Sequence, residues 1–244
     1  MKILLVAPKL KGSFPIGISF IFAVLKKHGH LVEGHLFSTL EELRKELNND
    51  YDLVGTGGMT IQYQEIRQIV EASKQSGKKV VVGGNIVTSE PELMSKALDA
   101  DFSVLGEGEE TILDLVKALE QGKPFQQISG IGYFEQGKFV QNGLGREVKN
   151  LDSLPFPDFE GFGFGKHLDS LNSSDIFFFD VFDFPREYSL VSARSCPLSC
   201  TFCYHPTKYR QRSLDSVFQE LSIVVPKYRI NIISIMDDLF SVKE

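Results

Sequence analysis

The sequence predicts an α/β protein built on a five-stranded parallel sheet, followed by a hairpin and the start of a second α/β unit. Three observations carry this. Five short apolar runs alternate with five amphipathic stretches over residues 1 to about 121. The runs are rich in Val, Ile and Leu without clean alternation, as strands buried on both faces are. Beyond Gly122 the rhythm breaks, and a new strand–loop–helix–strand pattern begins near residue 187.

The apolar runs are KILLVA (2–7), HLVEGHLF (30–37), DLVGT (52–56), KKVVVGG (78–84) and DFSVLG (101–106). Between them lie PIGISFIFAVLKKHG, TLEELRKELNN, IQYQEIRQIVEASKQSG, EPELMSKALDA and EETILDLVKALEQG. Their apolar residues recur at helical spacing, as in Ile66, Ile69 and Val70 or Ile112, Leu115, Val116 and Leu119, and several end at Gly or Asn. Strand and helix alternating five times imply a doubly wound, flavodoxin/Rossmann-like sheet. Ligands of such sheets sit beyond the C-terminal strand ends. Those ends read APKLKGSFP, GTGGMT, GGNIVTS and GEGEE, which makes Gly57, Gly58, Gly83, Gly84, Gly106, Glu107 and Gly108 candidate binding positions. Glycines also serve simply to make tight turns, so the convergence of four such loops on one edge is the stronger signal.

Residues 1–125 therefore form the predicted first domain and 126–186 a hairpin and linker. ISGIGYFEQGKFVQNG reads as two strands around a Glu-Gln-Gly-Lys turn. The aperiodic, Phe-, Pro- and Gly-rich stretch 150–170 reads as a linker laid on a surface, its phenylalanines acting as packing anchors. Residues 187–244 then read as strand REYSLVSA, a cysteine loop, helix SLDSVFQELSIVVPKYR and strand INIISIMDD. One βαβ unit cannot close a barrel, so the expectation is an incomplete (β/α) barrel in a truncated form of a longer protein.

Composition bounds the function. With 42% hydrophobic and 24% charged residues the chain has the balance of a soluble globular protein. A net charge of −6 without long Lys/Arg runs does not indicate a nucleic-acid surface. No apolar stretch reaches the length of a membrane span, and the N-terminal apolar run is too short for a signal peptide, so the expected location is cytoplasmic.

All three cysteines fall within SCPLSCTFCYHP, at Cys196, Cys200 and Cys203. Three thiolates this close suit one soft metal centre rather than disulfides. Two completions are open. His205 could supply the fourth ligand of a tetrahedral zinc site in a non-catalytic, zinc-stapled binding module, although it follows Cys203 more closely than zinc ligands usually do. Alternatively, a four-iron cluster could leave one iron for an exogenous ligand.

The loop, with an aromatic residue immediately before the third cysteine (Phe202), resembles the cluster-binding signature of the radical S-adenosylmethionine superfamily. The flanks YRQRSLDSVFQEL and IISIMDDLF look like those of its anaerobic, cobalamin-associated branch. PIGISFIFAVLKKHGHLVEGHLF, GGNIVTSEPE and VLGEGEETILDLVKAL resemble that branch's N-terminal cobalamin-binding domain. The resemblance implies an enzyme in which Cys196, Cys200 and Cys203 hold a [4Fe–4S] cluster shielded by Phe202. S-adenosylmethionine completes the cluster and is cleaved reductively to a 5′-deoxyadenosyl radical. It also implies that Asp237 and Asp238 lie near the bound S-adenosylmethionine, whereas capping of a following helix would equally account for the pair. A small-molecule substrate undergoing methyl transfer or rearrangement, and an electron donor such as flavodoxin or ferredoxin, are implied partners. Glu220 reads as a solvated helical position.

Two departures from the family pattern stand out. Ser195 occupies the position before the first cysteine where members usually have Gly. The loop after the first strand, APKLKGSF, lacks the Asp-x-His-x-x-Gly that supplies a histidine to cobalt, so cobalamin is expected to bind without a protein histidine ligand.

Overall fold

In the computed structural model, residues 1–9, 14–172, 183–203 and 207–240 are described. His205, most of the apolar run at 176–184 and most of the loop after the first strand lie outside these residues. Two units fold from the chain. Residues 1–9, 15–148 and 157–162 make the first, and described residues 14, 149–156 and 163–240 the second.

The first unit runs β1 (Lys2–Pro8), α1 (Ile16–Lys27), β2 (Leu31–Phe37), α2 (Leu40–Leu47), β3 (Leu53–Gly57), α3 (Tyr63–Gln75) and β4 (Lys79–Gly83). It continues through α4 (Asn85–Thr88), α5 (Pro91–Leu98), β5 (Phe102–Val104), α6 (Glu109–Gln121), β6 (Ile131–Glu135) and β7 (Lys138–Gln141). The strand order is β2-β1-β3-β4-β5-β6-β7, with the first five parallel and the last two antiparallel. This is the flavodoxin-like order over the parallel strands. The hairpin read from the sequence joins the same sheet, pairing Ser103 with Gly132 and so covering the edge that β5 would otherwise expose.

Burial on both faces explains the unalternating strand sequences. Leu4, Val6 and Val54 pack with Leu43, Leu47, Ile69 and Ala72 of α2 and α3. The intervening Ile3, Leu5 and Leu53 are equally buried. α3 serves two clusters at helical spacing, since Ile66 and Val70 join Val80, Val82, Ile86 and Leu98. Thr39 caps α2 by accepting from the Glu42 amide at 3.2 Å, and Gly122 ends α6 at φ 61°. The stretch GGNIVTS, read as loop, contains the single turn α4. Gly84 at φ 87° turns the chain, and Thr88 Oγ1 donates back to the Gly84 carbonyl at 3.0 Å.

The second unit holds α7 (Phe164–Asp169), β8 (Glu187–Leu190), β9 (Ala193–Arg194), β10 (Arg210–Gln211), α8 (Leu214–Tyr228) and β11 (Ile232–Ile235). β8 and β11 pair in parallel across α8, giving the expected βαβ unit. Phe164 is fully buried with its ring 5.0 Å from Tyr228 and 4.9 Å from Phe14, which matches the anchor reading of the Phe-rich stretch. Among the described residues no helix is long and apolar enough to cross a membrane.

Candidate functional site

In the first unit the candidate positions gather at the C-terminal strand ends. Gly57 and Gly83 are register partners, and a Cβ on Gly57 would overlap the Gly83 carbonyl. The Gly58 amide donates to Gly83 O at 3.3 Å, and Ile86 N donates to Gly58 O at 3.0 Å. A Cβ on Gly84 would lie 2.8 Å from Gly58 O. The two βα turns are therefore knitted together, and their glycines are required by this packing. Gly106, at φ 80°, donates its amide to Thr88 Oγ1 at 3.0 Å. A Cβ on Gly108 would press Ile21 and Val104 at 3.2 Å. Glu107 is held within the chain, accepting from the Val148 amide at 2.7 Å.

The result is a floor of bare backbone at the ends of β3, β4 and β5. Beside it, Met59 is 50% and Ile61 82% exposed. Thr56 Oγ1, one residue before Gly57, is buried without a hydrogen-bond partner. A floor without side chains and with apolar neighbours fits a large planar group such as a corrin.

In the second unit β9 and β10 form a two-residue antiparallel ladder, Arg194 with Arg210 and Ala193 with Gln211. This ladder closes the excursion that carries the cysteines. Cys196 is half-buried, Cys200 and Cys203 are exposed, and all three are free thiols. The Cys203 amide donates to Cys200 O at 3.1 Å, folding the C-x-x-C segment into a turn. Among the described residues no three His, Cys, Asp or Glu side chains gather around one point as a single metal ion requires. Three free soft donors in one loop fit a multi-iron cluster, which takes its thiolates on separate irons.

Ser195 sits at φ 66°, a left-handed conformation that glycine adopts without strain. It is 7% exposed, and its hydroxyl donates to Thr207 O at 2.6 Å. Asp237 Oδ1 accepts from the amides of Ser192 at 2.8 Å and Ala193 at 2.9 Å, and Oδ2 accepts from the Ser192 hydroxyl. Asp238 is exposed, and Phe202 is 91% exposed.

Residues 4–116 match the family model of the B12 binding domain. That stretch lies almost wholly within the first unit. The chain is 29% identical over its whole length to an uncharacterized methyltransferase of Pyrococcus horikoshii, covering 55% of that protein. It is 24% identical to the anaerobic magnesium-protoporphyrin IX monomethyl ester cyclase of Rubrivivax gelatinosus, over 77% of this chain and 33% of that one. Its fold is that of the radical S-adenosylmethionine methyltransferase TsrM from Kitasatospora setae, with a TM-score of 0.75 and 16% identity, covering 98% of this chain and 48% of TsrM. The cobalamin-dependent S-adenosylmethionine radical enzyme OxsB gives a TM-score of 0.74 and 20% identity, covering 98% of this chain and 34% of OxsB. The chain thus shares its fold with cobalamin-dependent S-adenosylmethionine radical enzymes, and it spans about half the length or less of these relatives.

One sequence expectation is corrected. Glu220 is not solvated but 1% exposed, because it faces inward from α8 to accept from the Tyr188 hydroxyl and to pair with Arg212. Met59, Ile61, Thr88 and Arg212 were not singled out by the sequence. Met59 sits in the GTGGMT turn and Ile61 directly after it, apolar residues in a polar context, the one signal that could have marked them.

Proposed function

We infer that this chain is the cofactor-binding portion of a cobalamin-dependent radical S-adenosylmethionine enzyme. The observation that carries the reading is that three free thiols, Cys196, Cys200 and Cys203, fall within eight residues of one loop between β9 and β10 at the start of a βαβ unit. The match of residues 4–116 to the B12 binding domain supports it.

On this reading the three thiolates hold a [4Fe–4S] cluster, and the strand-end floor at Gly57–Gly58, Gly83–Gly84 and Gly106–Gly108 receives cobalamin. Once bound, these groups supply reductive cleavage of S-adenosylmethionine, with methyl transfer or rearrangement of a small-molecule substrate as the outcome. The protein's own part is to hold and orient. Arg212 and Asp237 pin the strand leading into the cysteine loop, and the Gly58 and Gly84 turns keep side chains off the corrin floor. A flavodoxin or ferredoxin is the electron donor that suits an exposed cysteine loop.

Anaerobic purification and reconstitution tests the reading through metal content and the visible spectrum. The expected product is brown, with about four irons per chain and a cobalamin absorption band after incubation with the cofactor. Stoichiometric zinc retained through anaerobic purification would overturn it.

A further inference from the structure

The backbone just upstream of the first cysteine is hydrogen-bonded at every step. Met236 N donates to Leu190 O at 2.8 Å. Arg212 Nη1 donates to Val191 O at 3.1 Å, and Arg212 N to Ser192 O at 2.8 Å. The Ser192 and Ala193 amides and the Ser192 hydroxyl all end on Asp237. One side chain from the end of β11 and one from the residue after β10 thus hold residues 191–193 between them.

Arg212 is fixed in turn. Its guanidinium lies 2.5 Å from Glu220 Oε2, donates to the Ser216 hydroxyl at 3.0 Å and sits 5.3 Å from the Phe156 ring. Its freedom is therefore spent whether or not anything is bound in the loop.

We propose that Asp237 and Arg212 are positioning residues that preset the cysteine loop for its metal centre, with Asp237 acting as an anchor for backbone and not as a ligand contact. Asp237 acts through Ser192 and Ala193 on Cys196, only three residues beyond Ala193. Both oxygens of its carboxylate are engaged by this backbone and hydroxyl. A carboxylate accepting two amides and a hydroxyl is a strong, directional tie. Without it, the Ser192 and Ala193 amides lose their acceptor, and the approach to Cys196 is held by Arg212 and the short β9–β10 ladder. Groups one step removed from a metal ligand commonly alter retention by about 10–100-fold. The inference deepens the functional reading above and rests on it for the identity of the centre.

Asp237→Ala removes the three acceptor interactions, and Ser192→Ala removes only the hydroxyl tie. Two readouts on the full chain separate this proposal from the functional reading. The first needs no metal. Hydrogen exchange and thiol-alkylation rates of the apo protein are expected to rise in Asp237→Ala through residues 192–203, including Cys196, while exchange in the first unit stays unchanged. The second is loss of iron to a chelator after reconstitution, expected to be about tenfold faster in Asp237→Ala and intermediate in Ser192→Ala. If exchange changes stay confined to residues 192 and 193, and Cys196 alkylates at the wild-type rate, the proposal is overturned. If Asp237→Ala fails to fold, Ser192→Ala decides by the same alkylation and exchange criteria. Failure of the wild-type chain to take up iron would instead overturn the functional reading, and the apo measurements would still decide this one.

Discussion

Arg212 Nη1 lies 2.5 Å from Glu220 Oε2 inside the second unit, and the Tyr188 hydroxyl donates to the other carboxylate oxygen. The Arg212 contact is an ion pair rather than an aligned hydrogen bond. Burial, followed by the nearby Glu220 charge, pushes the Tyr188 pKa upward, so its hydroxyl remains a donor throughout the working pH range. The network joins β8, the residue after β10, and α8, and it ends at the backbone of Val191. Removing one partner of a buried pair leaves the other uncompensated. Glu220→Ala is therefore expected to cost the second unit about 3–5 kcal/mol, and Tyr188→Phe only about 1 kcal/mol. Denaturant titration of each variant checks the ratio.

Ser195→Gly tests how the chain accommodates a non-glycine residue before the first cysteine. Glycine relieves a left-handed residue of about 1–2 kcal/mol, but the substitution also deletes the hydroxyl donating to Thr207 O, worth about 1 kcal/mol. The two effects nearly cancel, so Ser195→Gly is expected to leave thermal stability within a few degrees of wild type. Ser195→Val keeps the strain and loses the hydrogen bond, and a clear fall in melting temperature is expected.

Gly84→Ala separates packing from ordinary turn preference. At φ 87° and with a Cβ only 2.8 Å from Gly58 O, it forces two turns apart. Gly137, also at positive φ, has open space around its Cβ position. Gly137→Ala is expected to cost about 1 kcal/mol, and Gly84→Ala at least twice that. The same Gly84 variant is expected to weaken cobalamin binding, measured by spectral titration.

The first unit is expected to lose stability in mild acid. Burial pulls the His35 imidazole below its ordinary pKa, against smaller opposing effects of Glu46 and Glu42, and its Nε2 is buried without a partner. The unfolded chain then binds the proton first. The stabilising contribution is complete above the ordinary value near 6.5 and is lost as pH falls through the lower folded-state value. His30 is lowered in the same sense and adds to the slope. Denaturation at a series of pH values should give a shallower dependence for His35→Gln than for wild type.

The parallel strands, their helices and the cysteine loop were legible because each is written locally, in apolar runs, helical spacing and a short motif. Glu220 was misread because its partners Tyr188 and Arg212 lie 32 and 8 residues away, and an isolated Glu on a helix has no local mark of burial. The tie from Asp237 to Ser192 and Ala193 spans 44 to 45 residues and exists only once β11 lies beside β8. Pairing of the hairpin with β5 was likewise a matter of tertiary assembly, since its own sequence specifies two strands but no neighbour. The glycine loops were recognised as an edge, but the demand of Gly58 and Gly84 on each other emerges only from their contact.

Electron paramagnetic resonance of the reconstituted, dithionite-reduced chain, with and without S-adenosylmethionine, tests whether the three cysteines hold a cluster that S-adenosylmethionine reaches. The expected result is a reduced-cluster signal that changes shape when S-adenosylmethionine is added and disappears in Cys196→Ser, Cys200→Ser and Cys203→Ser. A reconstituted chain with no such signal, or with one indifferent to both S-adenosylmethionine and the cysteine substitutions, would contradict it.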